Sequence, residues 1–319
     1  MNGNKRPLKI SGKVAGCVVK TLKTFQGTHI LGALRGRLCD NSTFLLFVEE
    51  ICTWEAVAVA QLGNDMFVLQ KSPLQLDVYD AVSLILRGNI IIPTVGYSFG
   101  HTFVDMVACC HYRCLYFADQ GNSHIVRLEI PPKLSEWQVE GINSWSSMAL
   151  SVTSSHHLLV LCPGSNRPML KLFSTEGVLY KTVELQTDLG SVSSAVELTP
   201  GKYVVTRDSA LHQVCVINHK GKILHNFGGL QGSYGKLLTT LRDVAVDKDG
   251  FVYVDDVGSN RLVLLTPKLD YLHCMPNVFT QSLDNCRRMK LDKNCGHIYV
   301  VHSAHENRRR INRVTVFQI

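Results

Sequence analysis

Several signatures that would assign a function quickly are missing from this chain. It has no C-x-x-C pair, no H-E-x-x-H, no G-x-S-x-G elbow and no Gly-rich phosphate cradle. Zinc ribbons, thioredoxin-like redox centres, zincin proteases, α/β-hydrolases and P-loop enzymes therefore lose their usual markers. The N-terminal stretch MNGNKRPLKISGKVAGCVVKTLK is basic but lacks the apolar segment of a secretory leader. Apolar runs such as TFLLFV (43–48) and NIIIP (89–93) are far too short to span a bilayer. These absences predict a cytoplasmic protein with no membrane partner and no bound cofactor.

Eleven cysteines are present, but scattered. Cys109, Cys110 and Cys114, with His111 among them, come closest to a cluster. Their spacing within DMVACCHYRCLYFAD suits strand residues on either side of a turn better than converging metal ligands. Free, mostly buried thiols are expected. Hydrophobic residues at 45% and charged residues at 18% are those of an ordinary folded domain, not a disordered chain. The net charge of +7 favours an acidic partner only where it collects on one face.

The pattern that is present is a repeat. RDVAVD-KDG-FVYVDD-VGSN-RLVLL (242–265) reads as strand, turn, strand, loop, strand. The same order recurs at 54–80, 104–130, 147–173, 194–218 and 286–317. The residues closing each second strand are Gln70, Asp119, Cys162, Arg207, Asp256 and His302, spaced by 49, 43, 45, 49 and 46 residues. That period is a propeller's. Stretches such as VLYKTVEL (178–185) and KILHNFGG (222–229) supply a fourth strand. The expected fold is all-β: a single six-bladed β-propeller of four-stranded antiparallel blades over 17–319, after a tail at 1–16. The last copy stops at its third strand, so an N-terminal strand is expected to close the ring. CVVKTLKTFQG (17–27) is the candidate, with a long loop and a first strand over 28–53.

DVAVDKDGFVYVDDVGSNRLVLL resembles the NHL repeat through Asp247, Gly250, Tyr253, Val254, Asp256, Asn260 and Arg261. Tyr116, Asp119, Asn122 and Ile125 carry a second copy, and FGGLQGSYGKL (227–237) resembles the Gly-rich lead-in. The resemblance implies a propeller similar to those at the C-terminus of tripartite-motif proteins, which recruit RNA or protein. Nothing upstream has RING, B-box or coiled-coil spacing, so ubiquitin-ligase activity is not implied, and a stand-alone propeller and a fragment both stay open.

Asp119, Asn122, Asp256 and Asn260 read as turn residues that bond their own downstream backbone. The basic residues are the sharper signal. Repeat register puts His124, Arg167, Arg207, His212, Arg261, Arg308, Arg309 and Arg310 in or beside loops on one face. Arg35, Arg37, His101, Lys236, Arg242, Arg287 and Arg288 fall in the between-blade loops of that same face. From these, Arg207, Arg242, Arg261, Arg308, Arg309 and Arg310 are the expected partner-binding donors, with Trp145 as a rim anchor. The expected function is a non-catalytic, monomeric scaffold for a protein or peptide partner, acidic in character. Single-stranded RNA on the same face is the alternative. A metal-dependent hydrolase or lyase is the alternative from another class, using Glu55, Asp105 and Asp243 at the inner-strand starts with Glu197 deeper.

Overall fold

A computed structural model describes residues 9–10, 13–14 and 46–319, apart from 54, 93–100, 143–146, 164–166, 187–188, 208–210, 230–237, 277–284, 293–295 and 307–308. Six four-stranded antiparallel sheets form a ring. Blade one is Ala56–Leu62, Asp65–Gln70, Gln75–Asp80 and Leu86–Ile91. Blade two is Phe103–Cys109, Cys114–Asp119, His124–Glu129 and Lys133–Gln138. Blade three is Ala149–Val152, Leu158–Cys162, Met169–Phe173 and Leu179–Glu184. Blade four is Val192–Thr199, Lys202–Arg207, Gln213–Asn218 and Ile223–Gly228. Blade five is Leu241–Val246, Val252–Asp256, Arg261–Leu265 and Tyr271–Pro276. Blade six is Asn285–Asp292, His297–Glu306 and Arg309–Gln318, completed by Leu46–Thr53.

The side-chain period of two explains why the second strands read as unbroken apolar runs. In LLVLC (158–162), Leu159 and Leu161 pack into the core between blades three and four. Leu158, Val160 and Cys162 point the other way, into the core between blades two and three. Each blade is thus buried on both faces, and apolar alternation gives way to apolar continuity. Six such clusters, one per blade interface, make up the core. Fully burying one leucine of this kind contributes about 1.5–3 kcal/mol. The outer strands splay from their neighbours, so LRGNII (86–91) is exposed at every residue but Ile90. Trp137 packs between blades two and three, against Tyr116 and Phe173.

The ring does close with an N-terminal strand, but not the expected one. Leu46–Thr53 pairs with Arg309–Gln318, placing Ile51 opposite Val314 and Glu50 opposite Thr315. Residues 17–27 lie outside the described residues. FVEEICT carries Ile51 into the core shared by blades six and one, and Thr53 Oγ1 donates to the Asn312 carbonyl at 3.1 Å. The second strand of blade six also runs past His302 to Glu306, because its pairing with the third strand continues to Glu306–Arg309.

Gly250 and Gly221 stand in turns at φ +86° and +76°, as a positive-φ reading of both requires. At Gly221 a Cβ would lie 1.9 Å from the Glu184 carbonyl oxygen, so only glycine fits. The Asp residues ending the second strands act differently from a local turn. Asp119 Oδ1 accepts from Thr102 N at 3.0 Å, while its Oδ2 accepts from Asn122 Nδ2 at 2.8 Å and meets His101 Nδ1 at 2.7 Å. Asp256 accepts from Thr239 N, Thr239 Oγ1, Thr240 N and Arg261 Nε. Both carboxylates thus reach back to the chain entering their blade, and pin that loop to the blade's second strand.

Candidate recognition faces and the axial channel

Loops between second and third strands share one end of the ring with the connections between blades; we call this the loop face. Turns joining first to second and third to fourth strands form the turn face. Five blades carry a register shift where the inner strand leaves the loop face, at Ala56/Ala58, Phe103/Asp105, Val192/Ser194, Leu241/Val244 and Cys286/Arg288. A bulge turns the next side chain to a new direction. The first paired residues past four of these shifts are Ala58, Asp105, Ser194 and Arg288, and Asp243 sits within the fifth. The bulges therefore fill one level of the ring with these residues.

At that level the channel is crossed. Arg288, from blade six, donates through Nη2 to the Met148 carbonyl at 3.0 Å and through Nε to the Val104 carbonyl at 3.3 Å. Its Nε lies 3.4 Å from Asp105 Oδ1. Lys290, two residues on, donates to Asp105 and to the Leu150 carbonyl at 2.9 Å. Met289 and Leu291 face the core between blades five and six, so strand alternation puts Arg288 and Lys290 together on the other side. Asp105 is fully buried and also takes Met106 N at 2.8 Å and Leu150 N, from blade three, at 2.7 Å. One carboxylate thus joins blades two, three and six.

Contacts of the same kind engage most of the hydrolase set. Asp243 is bound by Val244 N, by Met289 N of blade six at 2.9 Å, and by a short bond from Ser194 Oγ. Glu197 accepts from Ser154 N of blade three at 2.6 Å, and Glu55 is exposed. Asp105, Asp243 and Glu197 each clasp a neighbouring blade, and Asp105 already faces two cations. Among the described residues no group of three His, Cys, Asp or Glu side chains converges to hold a metal ion.

The basic loop face is divided by the structure. Arg242 is exposed. Arg207 is half-buried, with Nη1 donating to Gln213 Oε1 at 3.2 Å. Arg261 pairs with the buried Asp256 at 2.8 Å and serves its own blade. Arg167 is exposed beside Glu184, at 3.7 Å. Arg288 was expected in a between-blade loop, but it is a buried inner-strand residue, because the strand begins at Asn285. His101 is buried against Asp119. Burial raises the Asp119 carboxyl, but hydrogen bonds from His101, Asn122 and Thr102 N outweigh it and hold the carboxyl below its ordinary value. Arg309 and Arg310 lie in the last strand; their side chains, together with Arg308 and Trp145, fall outside the described residues.

The turn face carries features the repeat pattern did not flag. Below Lys290 the channel widens into a cavity of about 220 Å³, lined by inner-strand residues of all six blades. Beside it the turns of blades two and three stack His111 on His156 at 4.1 Å, and His157 stacks on Tyr180 at 4.9 Å. Cys109 and Cys114 face each other across the blade-two hairpin, and Cys110 in the turn is exposed. The hydrogen bond from Cys109 draws the Cys114 thiol down to about 6. Large apolar side chains are exposed on blade one at Val82, Ile85, Leu86 and Ile91, and on blade three at Val178, Leu179 and Tyr180. Neither the exposure of LRGNII nor the cavity is legible in sequence, because an apolar strand of low charge reads as buried and the cavity walls are ordinary inner-strand residues.

Neither a protein-family model nor a curated protein sequence matches the chain. Solved structures do. A streptogramin B lyase aligns with a TM-score of 0.57 and 12% identity over 86% of this chain and 87% of its own. The virginiamycin B lyase of Staphylococcus aureus gives 0.55 and 10%, over 86% and 99%. The WD40 propeller domain of Doa1 gives 0.54 and 10%, over 82% and 78%. Lyase and WD40 propellers match equally well, and at this identity the likeness shows the propeller fold and no activity.

Proposed function

We propose that the chain is a non-catalytic recognition propeller of the NHL type, binding a protein or peptide partner through its basic loop face. One observation carries this reading: Arg288 and Lys290 cross the axis to Asp105, and a second inner acid, Asp243, is spent on backbone and hydroxyl donors. The acids of the channel hold the ring together, which turns attention to the surface. There Arg242, Arg207 and the Arg308–Arg310 segment remain the donors for an acidic partner. Exposed apolar side chains on blades one and three, grouped mainly toward the turn face, add surface of the kind that protein partners cover.

The test is selection of a random peptide library on the immobilised protein, beside binding of a random single-stranded RNA pool across a salt series. Acidic peptides whose binding falls at least tenfold in Arg242→Ala, or in the Arg308, Arg309, Arg310 triple alanine variant, are the expected result. RNA binding that falls steeply with salt and fails in the triple variant would replace the reading. Turnover of an ester or lactone that requires a divalent cation and Asp105 would overturn it.

A further inference from the structure

The cavity on the turn face is distinct from the loop-face surface and asks for its own occupant. Its walls are mostly apolar, supplied by residues such as Val107, Val152, Val196 and Leu291, with Gln61, Ser151 and Asp292 among them. At its inner end Arg288 and Lys290 cross the channel to blades two and three. A concave, mostly apolar cavity with charged groups at one end has the features of a small-molecule site.

The polar groups specify the chemistry. The Lys290 ammonium has three protons to donate and two protein partners, Asp105 at 3.1 Å and the Leu150 carbonyl at 2.9 Å. Lys290 also lines the cavity, so its remaining N–H is available to an acceptor there. Charge points the same way: Arg288 and Lys290 are two cations around the single Asp105 carboxylate. Asp243, the next inner acid, is held by Val244 N, Met289 N and the Ser194 hydroxyl. The acid at the mouth is Asp292, two residues beyond Lys290 on the same strand face, which turns a ligand's anionic end inward. The inner strand is the edge of each blade, and four of its channel-side N–H groups, those of Met106, Leu150, Val244 and Met289, are already taken by Asp105 and Asp243, which leaves Lys290 as the charged donor to a ligand's anionic end.

We propose that the channel cavity binds a small, largely apolar monocarboxylic acid, with its carboxylate on Lys290 and its hydrocarbon part against the six inner strands. At about 30 Å³ for each displaced water, the cavity holds roughly seven waters, which is room for a single-ring acid.

The probe is phenylacetate, compared with its neutral isostere phenylacetamide, by thermal shift and by methyl NMR of the whole chain. Phenylacetate is expected to raise the melting temperature and to shift the methyl signals of Val107, Val152 and Val196, with the amide at least about tenfold weaker. Lys290→Met is expected to abolish the preference for the acid. Because Lys290→Met also alters the Asp105 contacts, Val107→Phe, at a partly buried lining position, serves as a second variant that narrows the cavity and leaves the cations in place. It is expected to lose phenylacetate binding while keeping a cooperative melt. Equal binding of acid and amide, acid binding unchanged in Lys290→Met, or no methyl shift at millimolar phenylacetate would each overturn the proposal. Arg242→Ala is expected to leave phenylacetate binding intact, so this site and the peptide-binding reading fail or stand separately.

Discussion

Blades two and five are copies of one repeat, and their inner acids make the same pair of bonds. Asp105 takes Met106 N and Leu150 N; Asp243 takes Val244 N and Met289 N. In each case one oxygen caps the next residue and the other clasps the inner strand of the following blade. Only Asp105, however, also meets two cations, both from blade six. Asp243 meets a serine hydroxyl instead. Identical local grammar thus carries two different electrostatic loads, set by which blade lies across the axis.

Breaking that comparison gives the largest expected effect. Asp105→Asn strands Arg288 and Lys290 without their anion, and is expected to cost about 3–5 kcal/mol. Asp243→Asn loses hydrogen bonds from neutral donors only and is expected to cost about 1–3 kcal/mol. Guanidinium melts of the two variants check the difference, and equal losses would show that the cross-channel ion pairs carry no weight.

The second-strand acids sharpen the comparison from the other side, because there the two blades should behave alike. Asp119→Ala and Asp256→Ala each free several donors and are expected to cost about 2–3 kcal/mol apiece. Hydrogen exchange should rise first at Thr102 in one variant and at Thr239 and Thr240 in the other. The acid limb of the stability curve supplies a milder test. The Asp119 carboxyl is depressed in the fold, so its contribution is fully present above the ordinary carboxylate pKa and is lost as pH falls through the folded value. Melting temperatures between pH 2 and 7 should therefore fall less steeply in Asp119→Asn than in the parent, counted from about pH 3.9 downward. The smallest effect belongs to the surface: Arg242→Ala should change stability by no more than about 0.5 kcal/mol while lowering affinity for acidic peptides.

The repeat was legible because strand, turn and strand recur at nearly fixed spacing, and five of the six second-strand ends fall where the period places them. Closure was legible in kind, since a three-stranded last copy needs a partner. The strand that supplies it was not, because FVEEICT and CVVKTLKTFQG are both short apolar stretches, and the choice rests on which reaches the Val314 edge. Asp119 and Asp256 were recognised as structural, but their backbone donors lie 16 or 17 residues upstream, where a local turn argument does not look. Arg288 was read as a rim residue for a related reason: the strand start and its bulge decide whether a side chain faces solvent or the axis, and neither leaves a mark in RRMKL.

Two levels of information therefore separate in this protein. The amino-acid order alone determined the blade period, the continuous apolar strands and the aspartates that end them, because each depends on neighbours within one repeat. The tertiary structure decided that Lys290 would meet Asp105 across 185 residues of chain, and that the channel would be crossed by cations at the level of the bulges. That outcome depends on ring closure setting blade six opposite blades two and three, and on bulges that re-aim one side chain per blade, and local alternation encodes neither.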